Sequence, residues 1–177
     1  IGGRRIERLA ETVPLVEKAG GKCFPHVLDV TDADSIESFF DNTEAELGKV
    51  SVVINNAAIG HYGRLEDFSP AELAAEVATK LTGSLLMARR GIQSMRAVGV
   101  GGDLLFISSA SAVSPWPHHL PYAAANAGVE HAARTLRLEL EGTGIRVNLL
   151  RCGETAGTEF SLNEQDTERM RAAGEHW

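Results

Sequence analysis

Short apolar segments alternate with helical patterns along this chain, and that alternation is the strongest constraint on its fold. Residues 22–29, 50–54, 103–108 and 145–151 read as strands, with Pro25 placing the first of them at an edge or a bulge. Ile6, Leu9 and Val13 have helical spacing, and Pro14 is expected to kink or break that helix before Gly20-Gly21 ends it. The stripe Ile36, Phe39, Phe40, Leu47 marks a helix over residues 32–47, with Thr31 as its expected N-cap and Gly48 as its stop. Ser69-Pro70-Ala71-Glu72 is a capping box with proline at the first helical position, opening a helix to about residue 95. A last helix is expected over residues 122–141, and the tail from Phe160 is polar. Strands this short and apolar, separated by helices, predict a doubly wound parallel α/β sheet covered on both faces. No repeat, low-complexity segment or linker interrupts it, so residues 1–177 are expected to form a single domain, in part or whole.

Composition narrows the partners. A net charge of -7 without basic runs argues against nucleic acid, and no apolar stretch reaches membrane-spanning length. Cys23 and Cys152 form no C-x-x-C and are expected as free, buried thiols. With no visible signal peptide, a cytoplasmic protein is the expectation. The chain opens at Ile1 without an initiator Met, which leaves processing, truncation and a partial chain all open.

Chemistry concentrates near one pair. Ser109 would end a strand, where open α/β sheets bind ligands, and Tyr122 would open the following helix beside the same crevice. A hydroxyl and a phenol converging there form a proton-transfer arrangement. Ser109, Tyr122 and the Tyr122-Ala-Ala-Ala-Asn126 segment resemble the Ser…Tyr-x-x-x-Lys signature of the short-chain dehydrogenase/reductase family, with Asn126 where the family has lysine. Asn55-Asn56-Ala57-Ala58 resembles that family's Asn-Asn-Ala-Gly motif, Asp29-Val30-Thr31 its Asp-Val-Thr segment, and Cys152-Gly153 its Pro-Gly element.

The resemblance implies a Rossmann-like fold and carbonyl–alcohol interconversion with NADP, NAD being possible. It implies that Tyr122 exchanges the substrate proton, Ser109 orients the substrate oxygen, and Asn126 holds the nicotinamide ribose. Asn55 and Ala57 would lie along the cofactor, Asp29 near adenine, and Gly153 and Thr158 at its nicotinamide end. Arg4 would grip the adenosine 2′-phosphate through paired hydrogen bonds. The family's asparagine position, in its Asn-x-x-Gly pattern, holds Lys80 ahead of Leu81-Thr82-Gly83. Either Lys80 enters the pocket and replaces the missing positive charge, or both positions have drifted and Lys80 points to solvent. The tight geometry required of a lysine stem from another helix favours solvent.

The resemblance covers Gly3 to about Thr158. It further implies a Gly-rich turn and first strand, nearly all of a second strand, and a final strand, none of them within these residues; an incomplete sheet is therefore expected. His118 and His119, beside Pro115-Trp116-Pro117, could line a substrate pocket or sit in an ordinary surface loop, as could His61-Tyr62. A homodimer or homotetramer through the two long helices is expected, helped by the small residues Ala123, Ala124, Ala125, Ala127 and Gly128. The alternative function is a non-catalytic relative that binds a dinucleotide or a partner; a fragment without any ligand is a third.

Overall fold

The computed structural model describes residues 1–99, 101–153 and 168. In chain order its elements are β1 (Gly2–Gly3), α1 (Ile6–Lys18), β2 (His26–Val27), α2 (Ala33–Leu47), β3 (Val52–Asn55), α3 (Pro70–Val77), α4 (Gly83–Val98), β4 (Gly102–Ser109), α5 (Leu120–Glu139) and β5 (Ile145–Cys152). All strand pairing is parallel, as the alternation requires, but it falls into two pieces: β1 with β2, and β3-β4-β5.

Residues 22–29 form far less strand than expected. Only His26 and Val27 pair, and their neighbour is the first strand of the chain itself, Gly2–Gly3. His26 N–H donates to the Ile1 carbonyl and Leu28 N–H to the Gly3 carbonyl, each at 3.0 Å. The Ile1 amino group donates to the Phe24 carbonyl at 2.8 Å, so the contact between the two segments continues past Pro25.

The larger sheet is covered on one face among the described residues, not on both. Val53 and Asn55 of β3, Leu104, Phe106 and Ser108 of β4, and Ile145 and Val147 of β5 are buried. The register pairs Val53 with Leu104 and Leu104 with Val147, so these residues share a face. They pack under α4 and α5 in a core with Ile36, Phe40, Met87, Met95, Val129 and Ala133. On the opposite face Val52, Ile54 and Leu150 are 53%, 59% and 52% exposed.

Local chemistry explains several boundaries. Ser69 and Glu72 form the expected capping box, their side chains satisfying each other's backbone N–H. Asp32, not Thr31, caps α2 by accepting from Asp34 N–H at 2.9 Å. Thr31 is held back by Asp29, whose Oδ1 accepts from both its N–H and its hydroxyl at 2.9 and 2.7 Å. Pro14 does not break α1, which runs through it and buries none of its residues.

The helix expected from Pro70 to about residue 95 is continuous but not uniform. Between α3 and α4, Ala78–Thr82 forms a π-turn. Such an insertion widens one turn and re-aims its side chains, and it recurs at functional sites. Gly83 follows because nothing larger fits: a Cβ there would lie 2.9 Å from the Val30 carbonyl oxygen and 2.8 Å from its Cγ2. Gly128 of α5 likewise lies against Leu81 of the π-turn.

Candidate active site

Parallel pairing brings the carboxyl ends of β3, β4 and β5 to one edge of the sheet, and the sequence-predicted residues collect there. Ser109 is the last residue of β4 and lies in register with Cys152, the last of β5. Its Oγ accepts from Ser111 N–H at 3.2 Å and lies 3.0 Å from the Ser111 hydroxyl, fixing the turn that leaves the strand. Pro121 near the helix start lets α5 begin at Leu120, two residues before Tyr122. The phenol therefore enters the crevice from the first turn of α5.

Burial raises the affinity of Tyr122 for its proton above the ordinary tyrosine range. Hydrogen bonding from Ser109 and Asn126 offsets part of that rise, while negative charge on Cys152 and Glu76 adds to it. Ser109 and Tyr122 are thus hydrogen-bonded neighbours, and burial favours the neutral phenol. A rim of rings surrounds it: His119 meets Tyr122 edge-on with centroids 6.3 Å apart, and Tyr62 packs on His118 and His119 at 5.1 and 5.0 Å. Gly63 N–H donates to the His118 carbonyl at 3.0 Å, stitching the two loops together. No group of three or more metal-ligating side chains occurs among the described residues.

Lys80 does not point to solvent. The π-turn swings its stem inward; the residue is 2% exposed, and Nζ donates to the Ile107 carbonyl at 2.5 Å. Burial lowers its pKa to about 8, against a small opposing effect of Cys152. The expectation of a solvent-facing lysine fails: it held that a stem from another helix would miss the tight geometry, and here the stem is enclosed with its ammonium on the Ile107 carbonyl. The positive charge therefore lies inside the protein, two residues before Ser109 along β4.

Asn126 is 0% exposed, and its Nδ2 donates to the Tyr122 carbonyl one turn back, at 2.9 Å. Its Oδ1 has no hydrogen-bond partner among the described residues, an orphan acceptor beside the phenol's helix turn. With no accessible surface, this side chain can meet a ribose only after rotating outward. Asn55 is buried at the end of β3, and neither polar atom of its side chain has a partner among the described residues.

The other end of a dinucleotide would meet Arg4 and Asp29. They follow β1 and β2, which pair in register, and the charge of Arg4 helps hold the Asp29 carboxyl below its usual range, after the larger effect of the Thr31 hydrogen bonds. Asp29 already spends Oδ1 on Thr31. Arg4, Asn56, Ala57 and Gly153 are all exposed. Thr158 lies outside the described residues. An exposed guanidinium at one end and a phenol–hydroxyl pair with an orphan amide oxygen at the other fit the two ends of a nicotinamide dinucleotide.

Sequence reasoning missed Glu76 and Glu130. Glu130 of α5 is buried and joins three elements: it accepts from Ser108 Oγ at 2.9 Å and from Arg151 Nε and Nη2 at 2.8 and 2.7 Å. A carboxylate at a helix position flanked by Val129 and Ala133 was the available signal. Small residues in α5 also serve the interior: Ala125 is core, and Gly128 admits Leu81.

A family model described as short chain dehydrogenase matches residues 1–169. A 3beta-hydroxysteroid dehydrogenase 1 from Eggerthella lenta is 33% identical over 147 residues, which is 83% of this chain and 56% of that protein. The chain thus spans little more than half the length of that relative. Among solved structures, a short-chain type dehydrogenase/reductase from Mycobacterium marinum superposes with a TM-score of 0.86 at 26% identity, covering 98% of this chain and 68% of that one. An alcohol dehydrogenase from Thermococcus sibiricus complexed with 5-hydroxy-NADP gives 0.81 at 28% identity, covering 90% and 66%.

Proposed function

The chain belongs to the short-chain dehydrogenase family, and we propose that the protein is an NADP-using oxidoreductase that interconverts a small-molecule carbonyl and its alcohol. The observation that supports this reading is the meeting of the Ser109 and Tyr122 side chains at the carboxyl ends of β4 and β5. Bound there, the dinucleotide would supply or accept the hydride. Tyr122 donates the proton to the developing alkoxide, a task suited to a phenol that burial keeps neutral. Ser109 hydrogen-bonds the same oxygen. Lys80 fixes the end of β4 through the Ile107 carbonyl and places a positive charge within the pocket's wall. Asn126 braces the first turn of α5, and its orphan oxygen is the acceptor a ribose hydroxyl would meet after side-chain rotation. Asn55, Ala57 and Gly153, at strand ends, would lie along the bound cofactor, and Asp29 near its adenine.

Arg4 favours NADP through the 2′-phosphate. The NADP named in the Thermococcus sibiricus complex supports that choice for a relative. The test uses full-length protein, a panel of carbonyls and alcohols, and both cofactors. Turnover that Tyr122→Phe abolishes, with an NADP preference that Arg4→Ala erases, supports the reading. No turnover, or a preference indifferent to Arg4, refutes the corresponding part. Assembly as a homodimer or homotetramer through α4 and α5 belongs to the same proposal, and a monomer by sedimentation at micromolar concentration counts against it.

A second reading, a non-catalytic dinucleotide- or partner-binding protein, rests on Asn126. In place of a lysine the structure offers an enclosed amide that cannot supply charge. Cofactor binding without turnover on any substrate would favour it.

A further inference from the structure

Neither the family motifs nor the proposed chemistry uses Glu130, yet this enclosed carboxylate of α5 ties together the three elements that build the site. It is 2% exposed. Its Oε1 accepts from Ser108 Oγ of β4 at 2.9 Å and from Arg151 Nε of β5 at 2.8 Å. Its Oε2 accepts from Arg151 Nη2 at 2.7 Å and, along its own helix, from Arg134 Nη2 at 3.3 Å. Ser108 and Arg151 are register partners and so occupy one face of the sheet, the face that α5 covers. The next pair in the register is Ser109 with Cys152, at the carboxyl ends of the two strands.

Its place along α5 matters as much as its contacts. Tyr122, Asn126 and Glu130 recur every four residues, so they line one face of the helix over about 12 Å. Asn126 Nδ2 donates to the Tyr122 carbonyl, which stiffens the first turn of that stripe. Glu130 anchors the other end of the stripe to the strand that carries Ser109. Burying a charge carries a large desolvation cost, and apolar residues often replace a buried ion pair without loss of stability. What the Arg151 fork adds is direction, because two parallel N–H···O bonds hold in a single relative placement. A helix that slid or rotated against β4 would break the contacts to both strands at once.

We propose that Glu130 is a positioning residue for the reaction centre: its clamp on Ser108 and Arg151 sets the register of α5 against β4, and that register sets the Tyr122 phenol against the Ser109 hydroxyl. The inference rests on those two groups sharing the substrate oxygen in the function proposed above. Proton donation needs the phenol within hydrogen-bond reach of that oxygen, and a misplacement of about 1 Å can cost about 100-fold in rate. Glu130 acts on the reaction only through the helix.

The test reads the position of Tyr122 separately from turnover, by fluorine NMR of full-length protein grown with meta-fluorotyrosine. The Tyr122 resonance is the one missing from Tyr122→Phe, and Ser109→Ala shows where it moves when its partner is gone. Glu130→Gln places an amide N–H2 against one arm of the Arg151 fork and should shift the resonance toward the Ser109→Ala position. Ser108→Ala leaves the fork in place and should shift it less. On a carbonyl that the wild type reduces, Glu130→Gln should lower kcat about tenfold or more. Glu130→Gln combined with Arg151→Met should be no slower than the slower single variant, because the two side chains act as one unit. A purely structural tie would lower stability and leave both the resonance and kcat of the folded variants in place. An unmoved resonance in folded variants, or an unmoved kcat in an active enzyme, overturns the proposal. A wild type whose Tyr122 resonance responds to Glu130 but which turns over no carbonyl refutes the proposed function and leaves the clamp standing.

Discussion

Lys80→Met should change the dependence of stability on pH more than it changes stability at any one pH. The folded pKa is about 8, against 10.5 ordinarily, because burial disfavours the ammonium. Between those values the unfolded chain binds the proton and the folded chain has released it, so stability rises with pH across that window. Below pH 8 both states are protonated, and the penalty of the buried charge is present in full. The depression corresponds to ~3 kcal/mol, most of which should be relieved between pH 7 and pH 10. At 2% exposure the side chain is too enclosed for solvent to screen this effect away. Methionine has a similar stem and no charge. The variant should therefore lose the hydrogen bond to Ile107, worth ~1 kcal/mol, yet be no less stable than wild type at pH 7. Urea denaturation of both proteins at pH 7 and pH 10 measures the difference in slope, and other titrating groups cancel in the comparison. Equal pH dependence in the two proteins would mean that Lys80 titrates normally, and the enclosed charge on which the site's electrostatics rest would be wrong.

Glu130 gives the opposite sign. Its carboxyl is held below the usual range, first by the Arg151 hydrogen bond, so its stabilising contribution is present above the ordinary value of 4.5 and fades as pH falls. Glu130→Gln should leave a shallower loss of stability in acid, seen in thermal melts from pH 6 to pH 3; a wild-type acid limb in the variant would refute the role. Gly83→Ala should destabilise by about 1–3 kcal/mol despite alanine's better helix propensity, because the new methyl meets Val30 backbone as well as side chain. A neutral or stabilising result in urea denaturation would mean that the α4 approach can relax.

How much of this was legible beforehand follows from the range of the forces involved. The capping box at Ser69, the parallel pairing of β3-β4-β5, and Ser109 and Tyr122 at their element ends come from local chemistry and apolar periodicity, which a sequence displays directly. The family resemblance was likewise legible because its motifs keep order and spacing from Gly3 onward. What the sequence concealed was contingent on neighbours. The π-turn that holds Lys80 lies where Gly83 meets Val30 and Leu81 meets α5, and in that packing Lys80 is enclosed. Two-residue pairing of β1 with β2 depended on Ile1 and Gly3 carbonyls that local propensity does not announce. The pairs His61–Glu76 and Glu130–Arg151 join residues 15 and 21 positions apart, and each carboxylate alone reads as surface charge. Periodicity and spacing determined which side chains could reach the crevice. Tertiary packing decided which of them lost their water, and loss of water is what gives a charge its effect on a neighbouring proton.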